Sequence, residues 1–456
     1  MGPKKPEIEY IHLRRLAELR QNKNASKGEY QEAYESLRKL AQGSLKKGPF
    51  SITTGKCAPH IAASGDPRDF LSYAPYWWPE EKQGKVAYVR RDGKRNPDCS
   101  DVKDQSQLEA LAENLIYLCL GYYLLGKPEY AAHAITLIDT FFVSNDTRMN
   151  PHVNYGQVVR GINNPTGIGR GEGIISTRFL ATVANILPLL KDYEGYNTVL
   201  HPVHLWFTDY LRWLLESPIG QEEAAMKNNH HTFYIVQVAV IQQFLRPEGQ
   251  VYCESAKKTI ENYYNKMLPT QIDAKTGNQP LEVTRTRPFH YLEFNLHGAI
   301  YLAELGLDAG CCNVYQQQKL IPLATTFMVG FCKEDTKENM TEGIRTVEIV
   351  KSRYGDTKDQ CYAKFLEMAR NCKDADTYCG PKQAISRLWF RDENETQLPT
   401  PQRECKPSIS SKTNNTCNST NSAGGGEVIN ENDNNNDSKG NKAKAIFNKV
   451  LHRSTR

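Results

Sequence analysis

The stretch "MKNNHHTFYIVQVAVIQQFL", Met226–Leu245, sets two asparagines and two histidines at the mouth of an apolar run. The run after His231 reads as a helix buried in the protein rather than one lying on its surface. One of Asn228 and Asn229 can cap that helix, because its first N–H groups lack partners inside the helix. A cap does not account for His230 or for the second amide.

Outward from this helix the same grammar repeats. "SQLEALAENLIYLCLGYYLLG" has apolar residues at helical spacing and Gly126 as its stop. "PEYAAHAITLIDTFFV" follows with Pro128 in its first turn. "IISTRFLATVANILPLL", "HPVHLWFTDYLRWLLES", "SAKKTIENYYNKML" and "YLEFNLHGAIYLAELG" continue the series, and weaker helical text runs over 314–372. Helix pairs joined by short loops predict an all-α fold, an (α/α) toroid of helical hairpins. No fixed-period repeat points to a solenoid instead. Residues 1–45 are charged N-terminal helices, and 46–380 form the toroid. Inside the toroid, the Pro-, Gly- and aromatic-rich text over 51–101 is a long ordered loop region. Residues 397–456, with "SKTNNTCNSTNSAGGGEVINENDNNNDSKG", are a low-complexity tail expected to be disordered.

The 456 residues carry a net charge of +5, too mild for a dedicated nucleic-acid binder. No run of about eighteen apolar residues predicts a membrane span, and the start lacks an apolar signal core. Against a cytosolic reading stand twelve cysteines, none grouped as CxxC, and sequons at Asn145, Asn339, Asn414 and Asn418. The compartment is left open, and a monomer is expected.

Most site readings fall away on inspection. "GIGRGEG" at Gly167–Gly173 lacks the strand and Lys-Ser/Thr of a phosphate loop. Adjacent His230 and His231 point about 100° apart on a helix, and His290 and His297 have no acidic partner at ligand spacing, so neither metal nor cofactor is expected. No G-x-S-x-G elbow is present. A two-carboxylate glycosidase would draw on Glu172, Glu222, Glu282 and Glu293. A second stretch, "EVTRTRPFHYLEFN" at Glu282–Asn295, complements the first. Amide and guanidinium groups can hold a carboxylate, and a histidine and a tyrosine can move protons. That set suits β-elimination from a uronic acid, where hydrogen bonds strengthen as charge builds on the carboxylate.

Several motifs in order resemble the alginate lyase family of polysaccharide lyases. They are "SGDPRDFLSYAPYWWP", "YVRRDGKRNPD", "TRMNPHVNYGQ", "GEGIIS", "WLLESPIG", "NNHHTFY" and "QPLEVTRTRPFHYLEFNL", over about Ser64–Gly306. The resemblance implies an (α/α) toroid, metal-independent cleavage of a 4-linked uronate polymer, and an acidic polysaccharide as partner. It implies Asn229 as carboxylate neutraliser and His230 as base or second neutraliser. Arg285 is the implied charge beside the catalytic tyrosine, and Tyr291 the general acid, able also to be the base. His231 stands where the family has a small residue, which leaves open which histidine faces the cleft.

Tyr76, Trp77 and Trp78 are read as sugar platforms, with one tryptophan serving the core. Asn154, Tyr155, Gln157, Asn228, Arg287 and His290 complete the substrate-binding expectation, with Arg160 and Arg178 as further contacts for carboxylates. The competing readings are a glycoside hydrolase on the same toroid and a non-catalytic carbohydrate-binding protein.

Overall fold

The computed structural model describes residues 8–390 apart from 23, 251, 312–313, 333–336 and 376–379. The tail expected over 397–456 lies outside the described residues, as do the sequons at Asn414 and Asn418. The described chain is mostly helical, 61% helix and 5% strand.

Two amphipathic helices come first, α1 (Leu13–Gln21) and α2 (Gln31–Ser44). Each buries one stripe, Leu16 and Leu19 in the first, Ala33, Tyr34, Leu37 and Ala41 in the second. The next helix, α3 (Asp104–Leu125), is buried at consecutive positions such as Leu118, Cys119 and Leu120, so it needs neighbours on several sides. It finds them in α2, α4 (Pro128–Ile138) and α5 (Phe179–Ile186). Gly126 ends α3 with φ +68°, and its N–H returns to the Tyr122 carbonyl. By length and composition α3 passes as a membrane span, but 56% of its most apolar window is already buried in the protein.

The chain continues through α6 (Asn197–Glu216), α7 (Pro218–Ala224), α8 (Asn229–Phe244) and α9 (Glu254–Asn262). Two short turns, α10 (Leu268–Gln271) and α11 (Pro280–Val283), lead into the long α12 (Pro288–Asp308). Then come α13 (Val314–Gln317), α14 (Leu320–Gly330), α15 (Ile344–Tyr354), α16 (Cys361–Arg370) and α17 (Pro381–Ala384). Helices α3, α5, α8, α12 and α15 form a row in which each packs on the next, while α4, α9, α14 and α16 flank α3, α8, α12 and α15 respectively.

The 51–101 region departs from the irregular loop expected. It holds β1 (Leu71–Tyr73), β2 (Trp77–Lys82) and β3 (Lys85–Arg90). β2 and β3 form an antiparallel hairpin, and β1 pairs in parallel with β4 (Tyr155–Val158). The hairpin turns on Gln83 and Gly84, both with positive φ, which matches the right-handed twist of two short strands. Pro79 and the flanking charges hid the strand pattern; in a two-stranded ribbon a proline is tolerated at the edge.

Cys57, Cys99, Cys119, Cys253, Cys332, Cys361 and Cys372 are free thiols. Cys361 opens α16 and Cys372 lies beyond its other end, more than about 13 Å of helix away, too far for a mutual bridge. The sequon asparagine Asn145 is exposed, whereas the Asn339 side chain caps a turn by accepting from the Thr341 N–H and hydroxyl.

Candidate active site

The N-terminus of α8 is built by two different residues. Asn228 is the cap, its side chain accepting from the His230 N–H at 3.2 Å. Asn229 is 1% exposed, and its backbone N–H and side-chain amide both donate to Glu282, at 2.7 Å and at 2.8 and 3.0 Å. Glu282 sits in α11 and is itself 1% exposed. Burial pushes its carboxyl up, against the pull of the Asn229 donors and of His230 and Arg285. Asn229, His230 and Arg285 are thus gathered round one buried carboxyl.

His230 Nδ1 lies 2.8 Å from Glu223 Oε1 at the end of α7. Burial alone would lower this imidazole, but Glu223, with Glu172 and Glu282 behind it, outweighs burial and raises it. His231 faces elsewhere. Its Nδ1 is 2.8 Å from the Ala224 carbonyl, its ring stacks on Tyr263, and burial lowers it. The additional ring therefore packs the α7–α8 turn, and His230 is the histidine beside Arg285's neighbourhood.

Arg285 lies in the turn after α11. Its Nη2 donates to the Tyr291 hydroxyl at 2.9 Å, and its guanidinium carbon stands 3.9 Å from the Tyr291 ring centre. Its Nε and Nη2 also grip Asp92 at 3.2 and 3.1 Å. Asp92 belongs to the segment after β3, so the hairpin region reaches over to the α11–α12 turn. Gly93 makes that reach possible, because a Cβ there would stand 2.1 Å from the Thr286 hydroxyl. Tyr291, in the first turn of α12, is 8% exposed, and its hydroxyl is 2.9 Å from that of Tyr76. Burial and the Tyr76 bond push the phenol up, and Arg285 opposes them without prevailing. Arg285 therefore does not make this phenol ionise more easily in this state: the phenol is held protonated.

The other expected residues divide. Tyr76 touches Tyr291 directly rather than serving only as a platform. Trp77 and Trp78 are both half-buried on β2, under Arg170 and Arg91, with Trp78 Nε1 donating to the Lys94 carbonyl at 2.7 Å. Neither belongs to the main core, unlike the expectation for one of them. Gln157 takes φ +47° and accepts from Arg170, and Asn154 accepts from Trp213 Nε1 at 2.9 Å. Tyr155 begins β4. Arg160 stacks over Tyr73 and Tyr88 and pairs with Asp98, while Arg178 packs over Phe179. Arg287 and His290 both pair with Glu342, at 3.0 and 2.6 Å, and so face α15's entry rather than Arg285.

Sequence reasoning missed Asp92 and Glu223 and cast Glu282 for glycoside hydrolysis. Asp92 had a signal in "RRDGKRNPD", where Asp-Gly marks a tight turn; Glu223 had none. The four proposed hydrolase acids are all engaged. Glu172 pairs with Arg170, Glu222 accepts from the Gly171 N–H, Glu282 holds Asn229, and Glu293 is buried against Thr346. Among the described residues no group of three His, Cys, Asp or Glu is placed to hold a metal ion.

The alginate lyase family matches residues 57–337. The chain belongs to the alginate lyase family. A crystal structure of an alginate lyase from Bacteroides ovatus is similar over 84% of this chain and 98% of that one, with 26% identity and a TM-score of 0.68. No curated protein matches the sequence. As a member of this family the chain is a polysaccharide lyase, and the family implies an acidic polysaccharide substrate.

Proposed function

We propose that this lyase cleaves a 4-linked uronate polymer, alginate or glucuronan, by β-elimination without a metal, in the cleft of an (α/α) toroid. His230 holds the uronate carboxylate, Asn229 anchors the start of α8 on Glu282 behind it, and Arg285 steadies the oxygen of Tyr291. Tyr291 enters the reaction as the phenolate, its own proton released to solvent. It takes the C5 proton, the C5–H electrons form the C4–C5 double bond, the C4–O4 bond breaks, and the same tyrosine returns that proton to O4, which regenerates the phenolate. The products are a new reducing end and an unsaturated non-reducing end.

The observation that carries this reading is the Tyr291 oxygen, 2.9 Å from both Arg285 Nη2 and the Tyr76 hydroxyl. The Arg285 Nη2–H donated to that oxygen favours the transient phenolate that must pull the C5 proton. His230 is the weaker choice of base, because the carboxylate of Glu223 favours its charged form, which has no lone pair to accept a proton. A charged imidazole is instead suited to balancing the dianion that grows on the uronate. Trp77, Trp78, Asn154, Tyr155 and Gln157 support the flanking sugars. Asn228 serves as the cap of α8.

Tyr291→Phe tests the reading. Loss of the proton carrier should lower kcat about 1000-fold, with circular dichroism and melting temperature close to those of the parent. A variant that keeps more than about a tenth of the parent rate would remove Tyr291 from the chemistry.

A further inference from the structure

We propose that Glu223 is the positioning residue of His230, holding its Nδ1–H so that the opposite ring nitrogen, Nε2, is presented to the uronate carboxylate. The proposal rests on the reading of His230 as a carboxylate-holding residue.

Glu223 is an expensive residue to keep where it is. It is 1% exposed; one oxygen meets His230 Nδ1 at 2.8 Å, and the other has no hydrogen-bond partner among the described residues. Burying a carboxylate whose second oxygen is unmatched costs several kcal/mol. A glutamine or an apolar residue would serve packing better, so the charge itself is what the site uses. The ring it grips is less closed off. His230's side chain is 13% exposed against 1% for Glu223, and His230 Nε2 makes no hydrogen bond among the described residues.

The geometry works as a lever. Glu223 ends α7, His230 opens α8, and the turn between them is clamped a second time by His231 Nδ1 on the Ala224 carbonyl. One histidine fixes the turn, and the other is fixed by it. A ring whose Nδ1–H is donated to a carboxylate has one remaining direction in which to act, along Nε2. The charges facing the ring are Glu223 from α7, Glu172 from the 171–177 turn and Glu282 from α11, with Arg170 beside Glu172 and Arg285 close to Glu282. Three carboxyls, two of them with an arginine alongside, support an imidazolium that donates at both nitrogens, one bond to Glu223 and one to the substrate.

Glu223→Gln keeps the shape and removes the charge. The expected result is a fall in kcat/KM of about 100-fold and an alkaline limb of the pH–rate profile that moves to lower pH, because the imidazolium loses its support. A residue that acts only through His230 adds nothing once His230 is gone. In a His230→Ala background, Glu223→Gln should therefore cost less than about 3-fold, as a double-mutant cycle reads it. The same 100-fold cost in both backgrounds, or an alkaline limb that does not move, overturns the proposal. Should Glu223→Gln fail to fold, nitrogen-15 spectra of the unmodified protein decide. A His230 ring with a protonated Nδ1 supports the proposal, and one with a bare Nδ1 contradicts it. A protein that Tyr291→Phe silences but Glu223→Gln leaves intact would refute the role of Glu223 alone, leaving the lyase mechanism standing.

Discussion

The two ends of α12 carry two buried polar networks of opposite character. At the N-terminal end, Tyr291 joins Arg285, Tyr76 and Asp92, next to a histidine with one ring nitrogen unused and a carboxylate with one oxygen unmatched. At the C-terminal end, Glu304 and Asp308 receive the N-terminal segment of the chain. His12 Nε2 stands 2.5 Å from Glu304 and His12 Nδ1 3.5 Å from Asp308. Glu304 also accepts from Arg353 at 2.9 Å and from the Tyr315 hydroxyl at 2.6 Å, and Tyr10 donates to Asp308 at 3.0 Å. Each donor named here has an acceptor, and the network latches residues 8–12 and α15 to α12. A saturated network has nothing left to offer a ligand; an unsaturated one is costly in the free protein and keeps a polar group for a ligand. The contrast separates residues kept for stability from residues kept for chemistry, although both sets are buried and charged.

Breaking the latch should show in stability and nowhere else. Arg353→Met removes one partner of a pair whose side chains are 8% and 5% exposed. Stripping one member from a buried ion pair costs about 3–5 kcal/mol, measurable as a lower urea midpoint at unchanged m. Turnover per folded molecule should stay the same. A parallel fall in turnover would mean that the two ends are coupled along α12, and the contrast would fail.

A gentler change sharpens the same contrast. Burial pulls the His12 imidazole down, but Asp308 and Glu304 outweigh it and push it up to about 9. A raised folded value gives stability that is full below the ordinary histidine value of 6.5 and is lost as pH rises through about 9. Glu304 behaves oppositely. Burial would raise its carboxyl, but His12 and Arg353 hold it well below 4.5, so its contribution is present above 4.5 and lost as acid is added. Urea midpoints should therefore be highest between about pH 4.5 and 6.5, and the unfolding free energy should fall by on the order of 3 kcal/mol on the alkaline side. His12→Gln should flatten that alkaline fall. A stability curve indifferent to His12 would show that the latch is not the charged pair described.

Much of this was open to reading before any coordinates. Helical periodicity in the runs around Leu108–Leu125 and Phe233–Phe244 is a local property, and so is the Gly126 stop; local patterns survive transcription into sequence. The motifs with Asn229, His230, Arg285 and Tyr291 were legible because their chemistry is complementary. The β2–β3 hairpin was obscured because Pro79 and six charged residues over 80–91 overwrite the two-residue alternation. Asp92 on Arg285 and Glu223 on His230 depend on how the hairpin and α7 fold back. Asp92 is 193 positions from Arg285, and no spacing rule spans that. The tension in Tyr291, where burial and Tyr76 outweigh Arg285, is a matter of magnitudes, which residue types alone do not supply.

The most direct test of the central claim is to incubate the purified protein, with a metal chelator present, with polymannuronate, polyguluronate and glucuronan in turn. The measurement is the ultraviolet absorbance of the conjugated C4–C5 unsaturated uronate. The account predicts a rise on at least one polymer, undiminished by the chelator. New reducing ends without that absorbance, or a rise that the chelator abolishes, would contradict it.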